Sequence, residues 1–416
     1  MLTPEYLNKF TDGYLGMCDV LNEQITRDIA RRIAKTGGMT STAKWQARQA
    51  KQSGALMQDV IREVSVLTRM SEKEVYRMFQ DAGLVGMKND AAPLIRAGKL
   101  KSPELRMSDA MKQVMNAAAE KCKGEISNLT LTTAAATQQK FLQALNEAYM
   151  KVSSGAFSYQ EAIRQAIRSA AVDGTSVLYS SGHTSKIDVA MRVALLTGVN
   201  QTAGKLTELY AEDMDAKYYE VTAHAGARPS HATWQGRVYR IEGSDGDHDN
   251  FYDATGYGTG EGLCGWNCRH SFFPYWPGIS KPAYTKDMLD SYSEPKYSYN
   301  GDLLTEYDCM QRQRAYERSI REHKRVLAGY DSYIENTDNE EEKAYFREKF
   351  TEEAVKLKKK EKQMKDFCRQ TNRSPESDRT QVVAVKDHKG NLVSFDRSVS
   401  AKAVWANRKA NKKIGG

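Results

Sequence analysis

Thiol, imidazole and carboxylate side chains can ligate metals or move protons, and in this sequence they converge on one stretch, residues 217–279. It opens with KYYEVTAHAGARPSHATWQGRVYRI, passes through an insert rich in glycine and aspartate, and closes with GYGTGEGLCGWNCRHSFFPYWPG. His224, His231, His248 and His270 lie here, with the one pair of cysteines close in sequence, Cys264 and Cys268. Cys264, Cys268 and His270 form a C-x3-C-x-H cluster that a fourth ligand, His231 or His224, would complete. Thiolate with imidazole suits zinc, and a closed set of four would be structural. The spacing departs from the usual C-x2-C knuckle, and no second cysteine pair exists. The alternative is that the cysteines are buried thiols and His270 is a hydrogen-bonded strand residue.

An enzymatic reading uses His231 as base, with Ser230, Cys264 or a carboxylate from Asp245, Asp247 or Asp249. No specific catalytic motif supports it. The alternating glycines of GYGTGEG lack the strand before and helix after that a dinucleotide fingerprint needs. The aspartates lack calcium-loop spacing. A structural reading accounts for more residues. Trp234, Tyr239, Phe251, Trp266, Phe272 and Trp276, among other aromatics, supply a core to a sheet too small to fold alone. The planar forks of Arg228 and Arg269 would tie loop to backbone. No catalytic residue and no cofactor-binding residue is assigned.

The elements that position this stretch are mostly helical. Over residues 3–36, Leu7, Phe10, Tyr14, Leu21, Ile25, Ile29 and Ile33 recur at helical spacing, with a stop at Gly37 and Gly38. A second helical region runs from about 42 to 81, with Leu56, Val60, Val64, Leu67, Val75 and Phe79 as core. A capping box at Ser71 and Glu74 restarts it, and DAGLVG (81–86) turns. Residues 104–151 read as two helices joined near KCKGEIS. Ser158 opens another that Gly174 ends, and two more span about 185–198 and 199–214. KYYEVTAH, GRVYRI and RHSFFPYW then read as strands, and the insert between them as a surface loop. Tyr316, Ile320, His323, Leu327, Tyr330 and Ile334 make one heptad-like register; Phe350, Ala354, Leu357, Glu361, Met364 and Cys368 make a second. Together they predict an antiparallel hairpin of helices broken at 336–339. QVVAVKDHKGNLVSFD reads as a β-hairpin turning at Gly390 and Asn391.

The expected fold class is therefore α+β, mainly α. The expected divisions are a helical region 1–215, a β-containing motif domain 216–282, a helical hairpin 303–370, and a β-hairpin with basic tail 380–416. That tail holds Arg397, Lys402, Arg408, Lys409, Lys412 and Lys413 and no acid, so it is either a disordered basic terminus or a surface for nucleic acid or an acidic protein.

Composition bounds the rest. A length of 416 residues allows two or three domains. A net charge of +8 and a pI near 8.9 suit a polyanionic neighbour without demanding one. No apolar run is long enough to span a membrane. Six cysteines are too sparse for a disulfide scaffold. The opening MLTPEYLNKFTDG has neither a charged n-region nor an apolar h-region, so cytosolic synthesis is expected.

HAGARPSHATWQGRVYRI followed by GYGTGEGLCGWNCRHSFFPYWPG resembles the signature of the phage minor capsid protein 2 family, which is related to the Mu-F-type head-morphogenesis proteins. The LTPEYL opening fits the same family. The resemblance is sharp over 224–279, looser over roughly 1–370, and does not clearly include the hairpin and tail after 375. Its matching positions include His224, Arg228, His231, Trp234, Cys264, Cys268 and His270. It implies a minor structural protein of a phage or prophage head, made in the bacterial host cytoplasm and located in the virion. It implies portal and capsid proteins as partners during head assembly and genome packaging, with packaged DNA near the basic tail. It transfers no catalytic residue. The competing readings are a metal-dependent enzyme, nuclease or toxin-like, centred on the Cys/His motif, and a DNA-binding packaging factor.

Overall fold

In the computed structural model, the structure describes residues 1–10, 12–36, 42–100, 107–179, 182–382, 384–386, 392–395 and 398–414. The side chains of 8–15, 36–47, 67–74, 131, 377–378, 383–397 and 412–416 lie outside the described set. Outside it, too, fall the expected stop at Gly37 and Gly38, the turn at Gly390 and Asn391, and the side chains of Phe10, Tyr14, Leu67, Ser71, Glu74, Arg397, Lys412 and Lys413.

The chain is α+β and mainly α. Helices α1 (Pro4–Phe10) and α2 (Asp12–Thr36) lead to α3 (Thr42–Arg96) and α4 (Asp109–Ser153). Helix α5 (Tyr159–Asp173) precedes a hairpin of β1 (Ser176–Leu178) and β2 (Thr184–Lys186). Helix α6 (Ile187–Arg192) passes through a π-helical turn at Val193–Thr197 into α7 (Gly198–Asp213). The central stretch supplies β3 (Tyr218–Val221), α8 (Pro229–Ala232), β4 (Val238–Arg240), α9 (Phe251–Thr255) and β5 (Phe272–Tyr275). Helix α10 (Lys286–Ser293) and a hairpin of β6 (Tyr297–Tyr299) and β7 (Asp302–Leu304) lead to α11 (Glu306–Asn336) and α12 (Glu340–Gln370). A 3-10 turn at Ser377–Thr380 precedes the hairpin of β8 (Ala384–Lys386) and β9 (Leu392–Phe395) and the closing helix α13 (Ser398–Ile414). No helix among the described residues is long and apolar enough to cross a membrane.

Four local expectations change. The turn at 81–86 and the restart at 71 are absent, because α3 continues to Arg96. Gly83 within it serves packing: a Cβ there would sit 2.8 Å from Met107 and 3.0 Å from Leu206. The two helices expected over 104–151 are the single helix α4. Cys122, Ile126 and Leu129 are all buried, so one apolar stripe carries the helix through Gly124. The short β1–β2 hairpin lies where no strand was expected. The tail is helical, and its Val399, Ala403 and Ala406 are buried.

The chain forms two compact units. One comprises Leu15–Arg69, Ser127–Ala190 and Arg312–Gly416. Here α2, α5 and α11 approach so closely that a Cβ on Gly329 would meet Ile167 at 2.7 Å and Thr26 at 3.2 Å. The predicted helical hairpin is present as α11 and α12. Ile320, Leu327, Tyr330, Ala354, Leu357 and Cys368 are buried as their spacing requires. Asn339 starts α12 by accepting hydrogen bonds from the N–H groups of Glu341 and Glu342 at 2.9 and 3.3 Å. The buried Glu353 of α12 accepts from His323 of α11 at 2.6 Å and from Arg168 of α5 at 2.9 Å. Helix α13 packs on α12, and its Lys402 ammonium sits 2.7 Å from Asp331 and 3.3 Å from Glu335.

The other unit comprises Met1–Tyr14, Met70–Ile126 and Met191–Gln311 and contains the whole Cys/His stretch. Its sheet has the order β4–β3–β5, antiparallel throughout, with Tyr219 opposite Tyr239 and Pro274. The three expected strands are all present. Alternation along β3 predicts one buried and one open face, but Glu220 and Thr222 are as buried as Tyr219 and Val221. The second face is covered, with the Glu220 carboxylate accepting from Ala283 N–H at 2.6 Å. Burial pushes that carboxyl up to about 7.

Candidate metal centre

The aromatic residues of the stretch form its core. Tyr219, Phe251 and Phe272 meet with ring centroids 4.7–4.8 Å apart. Trp234, Tyr239, Leu263, Cys264 and Cys268 belong to the same buried cluster. Trp266 does not: it is 57% exposed, which corrects its expected place in the core. Its carbonyl accepts from the Arg228 guanidinium at 2.8 Å, the tie expected of that fork.

The alternating glycines allow a tight coil. A Cβ on Gly262 would lie 2.0 Å from Gly256 O, and one on Gly260 2.7 Å from the Trp266 ring. Cys264 and Asn267 adopt the left-handed conformation, φ 58° and 55°, and fold the CGWNC segment back on itself. That fold sets Cys268 Sγ beside its neighbour's imidazole, with His270 N–H donating to the sulfur at 3.4 Å. From behind, Asn200 of α7 donates to the carbonyls of Cys268 and His270 at 3.3 and 2.9 Å.

Three of the four expected ligands meet. His231 Nδ1, His270 Nδ1 and Cys268 Sγ form a triangle with edges of 3.4 Å (N to N), 3.7 Å (His231 to sulfur) and 3.6 Å (His270 to sulfur). All three residues are buried. Cys264 is buried but stands outside the set, its thiol donating to His270 O at 3.7 Å. His224, the other expected fourth ligand, stacks on the His270 ring at 4.5 Å with its Nδ1 3.0 Å from Ala225 O.

Burial sets the charge state. It pushes His231 down to about 4 and His270 well below the ordinary imidazole range. The same desolvation pushes the Cys268 and Cys264 thiols up. At neutral pH the imidazoles are uncharged and the thiols protonated.

Two partners fix the imidazole tautomers. Glu261 O, which can only accept, lies 2.9 Å from His231 Nε2. Gln235 Oε1 lies 3.0 Å from His270 Nε2 and also accepts from the backbone N–H of His224 at 3.1 Å. Both Nε2 atoms therefore carry the hydrogen, and both Nδ1 lone pairs face inward. Gln235 and Asn200 were not singled out in the sequence, since nothing in a lone amide's context marks its partner. We expect Gln235→Leu, which strips two buried donors of their acceptor, to destabilise this unit by about 2–4 kcal/mol, and Gln235→Glu by much less. Urea unfolding of the two variants checks this.

The aspartates proposed for catalysis fold the insert, Asp245 through its carboxylate and Asp247 and Asp249 through their backbone. Asp245 accepts from the N–H groups of Asp247 and His248 at 3.2 and 2.9 Å and from the Tyr218 hydroxyl at 2.8 Å. The Tyr218 bond leads the interactions that hold its carboxyl down to about 2. Asp249 O accepts from Arg240 N–H at 3.0 Å. Ser230 is exposed on α8.

A family described as phage minor capsid protein 2 matches residues 2–369. A structural protein of Lactococcus phage LL-H is 26% identical over 298 residues, which is 68% of this chain and 76% of that protein. No solved structure is significantly similar. The family match runs from α1 into the last turn of α12 and takes in the whole Cys/His stretch, so the chain belongs to the phage minor capsid protein 2 family.

Proposed function

We propose that the protein is a minor structural component of a tailed-phage head, associating with portal and capsid proteins during head morphogenesis and DNA packaging. On this reading it is made in the bacterial cytoplasm and carried in the virion. The observation that carries the reading is the family match over residues 2–369. The family is described as a minor capsid protein and the phage relative as a structural protein, which supports a structural over an enzymatic role. In the test, purified virions and procapsids are analysed by mass spectrometry and by chemical crosslinking. The protein should be present in few copies and crosslink to portal or capsid protein. Its absence from both particles overturns the assignment.

Helix α13 supports a contact with packaged DNA. Trp405 is 66% exposed with Lys409 Nζ 5.2 Å from its ring centroid, and Arg408 is exposed beside it. An aromatic face among cations suits a nucleic-acid surface. Lys402 is already engaged by Asp331 and Glu335 and is not part of that surface. Trp405→Ala combined with Lys409→Glu should abolish salt-sensitive DNA retention by the full chain; unchanged retention removes α13 from the interface.

A further inference from the structure

The two inward-facing Nδ1 atoms present a problem that hydrogen bonding within the protein does not solve. Each is a buried acceptor, they lie 3.4 Å apart, and the one hydrogen between them belongs to the Cys268 thiol. That hydrogen can serve one nitrogen only. Leaving a buried acceptor unserved costs about 1–3 kcal/mol, and two lone pairs facing each other add repulsion. A cation at the centre of the triangle satisfies all three atoms at once.

The dimensions agree with that solution. A tetrahedral zinc ion, with bonds of about 2.05 Å to nitrogen and about 2.3 Å to sulfur, sets ligand edges of about 3.3 Å between nitrogens and about 3.6 Å between nitrogen and sulfur. The observed edges are 3.4, 3.6 and 3.7 Å. The surroundings agree as well. Each imidazole donates its far N–H to a fixed oxygen, Glu261 O or Gln235 Oε1, the second set of contacts that orients metal-binding histidines. Trp234 packs against both rings at 4.5 and 4.9 Å and keeps them in place.

We propose that His231 Nδ1, His270 Nδ1 and Cys268 Sγ bind one borderline-soft divalent metal ion, zinc in the cell, that a water molecule completes its tetrahedron, and that Cys264 is not a ligand. On binding, the Cys268 thiol gives its proton to solvent and its sulfur lone pair to the metal; the imidazoles donate their Nδ1 pairs and lose no proton. The ion joins α8 to the segment before β5 and clasps the two ends of the glycine- and aspartate-rich insert. The assignment stands apart from the head-assembly reading, since it concerns the folding of this unit whatever its partners.

The test uses the full chain, purified from zinc-supplemented and from cobalt-supplemented medium. Elemental analysis should find about one metal ion per chain. The cobalt protein should show the strong visible bands of a tetrahedral site and a thiolate-to-cobalt charge-transfer band. The cobalt spectrum needs no substitution, so it stands even if a variant misfolds. Cys268→Ser and His231→Gln should each lower retained metal at least tenfold after dialysis against a chelator, while Cys264→Ser should retain it as the parent does. A folded parent protein that takes up neither zinc nor cobalt at equimolar excess overturns the site. Loss of metal in Cys264→Ser equal to that in Cys268→Ser overturns the three-residue assignment.

Discussion

Replacing Glu353 with alanine is expected to destabilise the chain by about 3–5 kcal/mol, among the largest effects of any single substitution here. Its carboxylate, 3% exposed, receives His323 and Arg168 on one oxygen, so removing it leaves a guanidinium and an imidazole without the acceptor that α5 and α11 share. Burial alone would raise this carboxyl. The hydrogen bonds from His323 and Arg168, and the charges behind them, outweigh it and hold the group down to about 2 from an ordinary 4.5. Because the folded-state value lies below the unfolded one, the stabilisation is fully present above about pH 4.5. It is lost as the pH falls through the window towards 2. Integrated over that window the linkage is worth about 3 kcal/mol. Glu353→Gln keeps the shape and should flatten the acid dependence as well as lower stability at pH 7. Urea unfolding at pH 7 and at pH 3.5 measures both; an acid dependence in Glu353→Gln equal to the parent's would show that another carboxylate controls it.

The second large effect is expected at Phe272, and it contrasts with Trp266 six residues earlier in the aromatic stretch. Phe272 is 1% exposed and packs its ring against Tyr219, Phe251 and Tyr257 at 4.7, 4.8 and 5.0 Å. Phe272→Ala removes that ring from the centre of a small core with little capacity to collapse, at an expected cost of about 3–5 kcal/mol. Trp266→Ala, at a residue more than half exposed, should cost less than about 1 kcal/mol. Circular dichroism across a urea series separates the two. Equal losses would mean that the Trp266 ring contributes to the core as much as the Phe272 ring does.

Much of the fold was legible because its signals are local. The registers of α11 and α12 repeat over many turns, and each apolar position reports on the same helix face, so periodicity alone identifies the hairpin. The three strands of the Cys/His stretch were legible for the same reason, as was the cap at Ser158, whose hydroxyl accepts from Glu161 N–H at 3.2 Å. Glycine misled inside long helices. Gly83, closely packed, and Gly124, in open space, read as turns, yet apolar spacing continues on either side of each and the helices run through. At the C-terminus composition leaves a disordered terminus and a binding surface equally open, and only the burial of Val399, Ala403 and Ala406 on one helix face removes the first. The family match ends at 369, close to where the resemblance was expected to end.

By itself the sequence determined which residue types are concentrated between 217 and 279, the helical character around them, and the family to which the chain belongs. Tertiary structure decided which of those residues meet. His231 and Cys268 are 37 positions apart, and their convergence depends on the coil of glycines, the two left-handed residues and the β3–β5 pairing acting together. It also decided that Cys264 turns away while Gln235 and Asn200 turn inward. A side chain's type is written in the chain, but the direction it faces follows from backbone geometry summed over every residue between it and its partner.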